Sequence, residues 1–204
     1  MKKSLIIGLA LVSTTIFGGT ASEQIKKLEI RVAKLEKALN PFIEQQNQKK
    51  ARNILKAQAQ ARIRQDLKNY SRGELRKIEY LYQVANKKWR SQEGTESLKV
   101  LISKYKKANR TGCALLYLGQ VSKGNEQVKY LKQTIKDFGD CYYGNGVQVG
   151  AYARFKLLWI YIRNGDKAKA DKLVQEIKTN YPDAIDHRGN SLVAIINREF
   201  EKNK

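Results

Sequence analysis

The chain has 204 residues, with 40 Lys and Arg against 19 Asp and Glu and a formal net charge of +21. Two prolines in that length point to an all-α fold. A single histidine and two cysteines without a C-x-x-C spacing give little footing to a metal centre or a redox catalyst.

Taken in chain order, residues 1–21 read as a cleaved secretory signal, with an uncleaved membrane anchor as the alternative, for which the apolar run is short. Lys2 and Lys3 precede an apolar run from Leu5 to Phe17, followed by the small residues Gly18-Gly19-Thr20-Ala21. No cysteine follows the run, so a lipoprotein anchor is not indicated, and the expected location is periplasmic or secreted. Residues 22–40 carry Ile25, Leu28, Val32, Leu35 and Leu39 at alternating intervals of three and four, the seam of a short coiled coil. β-Branched Ile25 and Val32 at a with leucine at d favour a parallel dimer, in which Arg31 reaches Glu36 of the partner chain. An amphipathic helix packed on its own domain is the alternative. Pro41 is expected to end or kink this helix.

Residues 41–70 are polar, basic and alanine-rich, with Ile54, Leu55, Ala61 and Leu67 as sparse apolar points: an exposed helix or a linker. From Phe42 to Arg110 the chain has 18 basic and 6 acidic residues, so the charge is concentrated in the middle third. In a cytoplasmic protein this would suggest nucleic acid. Export removes that partner and substitutes an anionic envelope surface of lipid or polysaccharide, with plainly solvated helix faces as the other reading.

A helical domain is expected over residues 71–204. Ser71-Arg72-Gly73-Glu74 has the capping-box pattern that satisfies free amides at a helix start. Leu75, Ile78, Leu81, Tyr82, Ala85 and Trp89 then share one face. Gln92-Glu93-Gly94 reads as a turn with Thr95 as the next cap, and Leu98, Leu101, Ile102 and Tyr105 mark the return helix. Three helix pairs are expected, at about 71–109, 111–140 and 146–183, with a capping helix over 190–201 whose Leu192, Ile195, Ile196 and Phe200 face inward.

The last pair carries the clearest pattern. Leu157, Tyr161, Gly165, Ala170, Val174 and Pro182 stand at the spacing of a tetratricopeptide repeat, with Arg154 and Leu158 in place of the usual tryptophan and glycine. The stretch resembles one such repeat, which implies a short helical-hairpin solenoid. In that family the first helix of each hairpin lines a concave groove. On that helix Tyr152, Phe155, Trp159 and Arg163 recur at intervals of three and four, so the resemblance implies a peptide-binding strip, extended by Leu118 and Ser122. Leader, coiled coil and helical array together are similar in layout to the periplasmic cell-division coordinators of the Tol-Pal envelope system. That family oligomerises through its coiled coil and binds an inner-membrane Tol protein.

Cys113 and Cys141 fall at the same end of the middle hairpin and can pair in an oxidising compartment, buried free thiols being the alternative. His187, beside Asp186, lacks a second ligand set or a nucleophile motif and reads as turn structure. No cofactor is expected. The sequence therefore points to an exported, non-enzymatic adaptor that binds a protein or peptide, with a basic envelope-binding protein as the alternative.

Overall fold

The computed structural model describes residues 20–201. The signal expected at residues 1–21 therefore lies almost wholly outside the described residues, as does the side chain of Phe200. The described chain is all-helical: α1 (Ala21–Gln65), a 3-10 turn (Asp66–Lys68), α2 (Arg72–Lys87), α3 (Gln92–Lys104), α4 (Asn109–Val121), α5 (Gly124–Asp137), α6 (Val149–Arg163), α7 (Lys167–Asn180) and α8 (Leu192–Glu201). Among the described residues no helix is long and apolar enough to cross a membrane. The contacts divide the chain at Asn47 and Gln48 into two units.

In the first unit, α1 runs on through Pro41 rather than ending there. Proline removes one backbone donor, but leucine, alanine, lysine and glutamine surround it, and these residues favour helix on both sides. Ile25, Leu28, Val32, Leu35 and Leu39 are all more than half exposed, and so are Ile30, Phe42 and Ile43.

The second unit begins with the rest of α1, which carries a narrow inward stripe. Leu55 and Ala59 are buried, one turn apart, and Asp66 continues the line, while Ile54 and Leu67 stay exposed. Downstream, Ser71 caps α2 with both bonds of the capping box in place. The next turn lies earlier than the Gln92-Glu93-Gly94 expected from sequence. The chain reverses at Lys88–Arg90, where Arg90 takes a positive φ of 60°, and Ser91 caps α3 by accepting from the Gly94 amide. Thr95 is thus inside the helix. Gly94 is required there by crowding, since a Cβ would fall 2.6 Å from the Lys88 carbonyl oxygen.

Helix α4 is the centre of the unit. It packs on α2, α3, α5 and α6, and Thr111 through Gly119 are buried without a break. Leu98 and Leu101 of α3, Leu131 of α5, Leu158 of α6 and Ile177 of α7 complete the core; each such side chain contributes roughly 2 kcal/mol of transfer free energy. The helices follow one another as antiparallel neighbours, and α4 also touches both α2 and α6 directly.

The second helix of each pair ends alike. Tyr105, Phe138 and Tyr181 are the C-caps of α3, α5 and α7, each donating its amide to the carbonyl four residues back. Three residues later Ala108, Cys141 and Ala184 donate their amides to the carbonyls of Tyr105, Phe138 and Tyr181 themselves, at 3.0, 3.1 and 3.1 Å. After Ala108 the next helix starts at once. After Cys141 and Ala184 the chain instead makes a small loop closed by an isolated antiparallel bridge, Tyr142 with Gln148 and Ile185 with Ser191. These loops move the starts of α6 and α8 two or three residues past the boundaries expected from sequence.

Candidate binding groove

Helices α2, α4 and α6 present their open faces on one side of the second unit, where three adjoining cavities of about 410, 450 and 820 Å³ share lining residues. Tyr82, Trp89, Tyr117 and Gln120 line the first. Trp89, Arg90, Gln120, Gln127, Lys156, Trp159 and Arg163 line the second. The third continues from Arg90, Gln120 and Arg163 to Lys99, Ser122, Lys123 and Glu126.

Local packing fixes the aromatic groups. Tyr117 donates its hydroxyl to the Ala85 carbonyl at 2.9 Å and meets Trp89 edge-on, ring centres 4.7 Å apart. Trp89 itself remains 52% exposed, because α2 has ended at Lys87 and the indole projects from the turn. Arg110 lies over the Tyr82 ring at 4.5 Å while holding Glu79 through two bonds, at 2.7 and 3.1 Å. On α6, Phe155 meets Trp159 edge-on at 5.8 Å and stacks with Tyr152 at 6.0 Å.

The strip expected on α6 is thus divided. Tyr152 and Phe155 are each only 7% exposed and belong to the core. Trp159 is half-buried and Arg163 exposed, and both line the groove. Tyr152 is covered by the loop before α8, whose His187 meets it edge-on at 4.9 Å and in turn meets Tyr143, of the loop before α6, edge-on at 4.6 Å. Leu118 and Ser122 do line the largest cavity, Leu118 as its buried floor. Trp89, Arg90, Tyr117, Gln120, Gln127 and Lys156 are groove residues that the single-helix pattern did not reveal. They come from three helices and a turn.

The groove is basic. Glu126 is the one carboxylate lining the three cavities, against Lys99, Arg90, Arg110, Lys123, Lys156 and Arg163. Lys99 pairs with Glu96 and Arg110 with Glu79. No described carboxylate makes an ion pair with Arg90, Lys123, Lys156 or Arg163.

The cysteines are free and buried, not the pair that the sequence allowed. Cys113 points its thiol at the Tyr142 carbonyl at 3.5 Å. Cys141 packs against Gly112, where an added Cβ would come within 2.8 Å of its sulfur, and it receives a contact from Arg62 at 3.5 Å. Burial pushes the Cys113 thiol up to about 12 and moves Cys141 in the same direction, so both are protonated at neutral pH. Burial, then Lys156, lowers the pKa of His187, against the opposing pull of Asp186. Asp186 is occupied by the loop, accepting from the amides of Arg188 and Asn190 at 2.9 and 2.8 Å. Among the described residues no cluster of three His, Cys, Asp or Glu could hold a metal.

No family model matches the chain, and neither a curated protein nor a solved structure matches it.

Proposed function

We propose that this is an exported, non-enzymatic adaptor of the bacterial cell envelope. In this reading α2 through α8 form a tetratricopeptide-like array that binds a protein or peptide in the groove of α2, α4 and α6. The observation that carries it is the convergence of Trp89 and Arg90, from the turn after α2, with Trp159 and Arg163, from α6, on one accessible cavity. Aromatic and arginine side chains of this kind dominate binding energy where they can be desolvated by a partner. The exposed seam Ile25, Leu28, Val32, Leu35 and Leu39 supports self-association, because a row of apolar residues at heptad spacing is stabilised by a second such helix. The layout similar to the Tol-Pal cell-division coordinators fits both features.

A photo-crosslinking amino acid at position 159, and another at position 32, tests the two parts in the native cell. The expected outcome is one recurrent protein captured from position 159 and a second copy of the chain from position 32. Absence of any recurrent species from position 159, with Trp159→Ala leaving all partners bound, would remove the adaptor reading.

A second reading rests on the start of the second unit. Residues 48–65 contain Lys49, Lys50, Arg52, Lys56, Arg62 and Arg64 and no acidic residue, and of these only Arg62 is ion-paired among the described residues. A basic envelope-binding protein would bind anionic vesicles or polysaccharide in a salt-sensitive way, and that binding would survive Trp159→Ala.

A further inference from the structure

We infer that the occupant of the groove is an acidic peptide segment whose carboxylates alternate with apolar side chains. This rests on the groove reading above and gives it a ligand class. The charges come first. Arg90, Lys156 and Arg163 line the same cavity of about 450 Å³, which has no acidic residue in its lining. Lys123 adjoins them in the next cavity, and none of the four makes an ion pair with a described carboxylate. Elsewhere in the same groove Arg110 and Lys99 are neutralised by Glu79 and Glu96. The chain thus supplies internal partners at the margins and leaves the centre without them.

The neighbouring groups decide what kind of anion fits. Arg90 lies 5.5 Å from the centre of the Trp89 ring, and the Lys156 ammonium 4.9 Å from that of Tyr152. Each cation is therefore held against an aromatic face, with nitrogens left for a ligand. Trp89 and Trp159 offer flat apolar surface between these cations. Gln120 and Gln127 each donate one amide proton to a backbone carbonyl, of Leu116 at 3.3 Å and of Gly119 at 3.0 Å, which leaves a second proton and the amide oxygen of each for an extended peptide backbone. Arginine forks bind carboxylates through two parallel bonds. A segment with acidic groups at intervals and leucine or aromatic residues between them meets all three features.

A second copy of this chain is a poor occupant. It carries +21, and no two acidic residues are adjacent anywhere in it. Like charges placed against each other would oppose docking. The partner is a different, acidic protein.

The test uses the full chain and fluorescence anisotropy. The probe is a labelled, end-capped ten-residue peptide alternating Glu with Leu and Phe. Its competitors are the same peptide with Gln for Glu, an oligothymidylate and a sulfated oligosaccharide. The expected result is binding of the Glu peptide that weakens with salt and falls about tenfold or more in the chain carrying Arg90→Glu and Arg163→Glu, with the Gln peptide unbound. Both arginines are exposed, so folding is checked by melting, and Arg90→Gln with Arg163→Gln gives a milder pair with a smaller loss in the same direction.

Equal binding of the Glu peptide by all these variants would overturn the inference. So would tighter binding of the oligothymidylate or the sulfated sugar through the same arginines. Binding of the Gln peptide as tightly as the Glu peptide, lost with Trp159→Ala, would overturn the acidic ligand while leaving the groove reading intact. Capture of no protein from position 159 would instead remove the groove reading itself.

Discussion

The junction that leads into α6 and the one that leads into α8 share one backbone and almost no side chains. In the first, Tyr143 and Val149 donate amides to Val147 and Cys141, at 2.9 and 2.8 Å. In the second, Asp186 and Leu192 do the same to Asn190 and Ala184, at 2.9 Å each. The turn glycines, Gly146 and Gly189, have φ of 96° and 83°. The junction into α4 has no such loop, although Tyr105 and Ala108 begin it in the same way. What the three have in common is α1 together with the 3-10 turn that continues it. Arg52 donates to the Gly189 carbonyl at 2.9 Å, Leu55 packs on Gly146, and Gln58 accepts from the Tyr142 hydroxyl at 3.3 Å. Arg62 pairs with Asp140 at 2.8 Å, and Asp66 accepts from the Asn109 amide at 2.9 Å. One helix passes all three junctions in reverse chain order, so their differing lengths are reconciled along a single rod.

The largest expected effect comes from breaking the junction that lacks a loop. Asp66 is 3% exposed and accepts two contacts from the Asn109 amide besides the Arg62 pair at 2.9 Å. Burial pushes its carboxyl up from the ordinary range, against the pull of Asn109 and Arg62. Asp66→Ala leaves a buried amide without an acceptor and removes one of the two carboxylates from Arg62. A loss of about 3 kcal/mol is expected in urea unfolding. Asp66→Asn keeps an acceptor for Asn109 and loses less. A change within experimental error for Asp66→Ala would mean that the 3-10 turn after α1 does not hold this junction.

The two turn glycines sharpen the comparison between the loops. Alanine at either position is strained by the positive φ. At Gly146 the added carbon would also meet backbone, the Leu55 carbonyl carbon and the Lys56 nitrogen, both at 3.2 Å. At Gly189 it would meet the Arg52 guanidinium, the movable end of a side chain, at 3.0 Å. Gly146→Ala should therefore cost about 2 to 3 kcal/mol and Gly189→Ala about 1 kcal/mol, read from the shift in urea midpoint. Equal losses would show that backbone strain alone decides both.

The sequence made the helical content and much of the core legible, because Ile78, Tyr82, Leu98, Leu101, Leu131 and Ile177 recur at helical spacing and pack as that spacing demands. It also made the Ser71 capping box legible, since that motif is local. The loops were not legible. Cys141–Val149 and Ala184–Leu192 match in backbone bonds, while the residues that align are mostly unlike, and two glycines are a weak signal. The groove was half legible for a related reason. A period along α6 finds one face, but only the neighbours decide which end of the face is covered, and His187, backed by Tyr143, covers the end holding Tyr152. Trp89 escaped because its position continues the apolar face of α2, whereas the helix ends two residues earlier.

His187 offers the smallest and most specific probe of the two loops, because it stands in the second and packs edge-on against Tyr143 of the first. Burial and Lys156 lower its pKa below the ordinary 6.5. The folded state therefore binds the proton less readily than the unfolded state. The contribution to stability is fully present above 6.5 and is lost as pH falls through the folded value. Since this is the only histidine in the chain, its imidazole protons can be followed by NMR without ambiguity. The expected titration midpoint lies below 6.5, and Lys156→Gln should move it back part of the way by removing the nearby positive charge. A midpoint at or above 6.5 would mean that the ring is solvated in solution, and that the two loops touch through α1 alone rather than through each other.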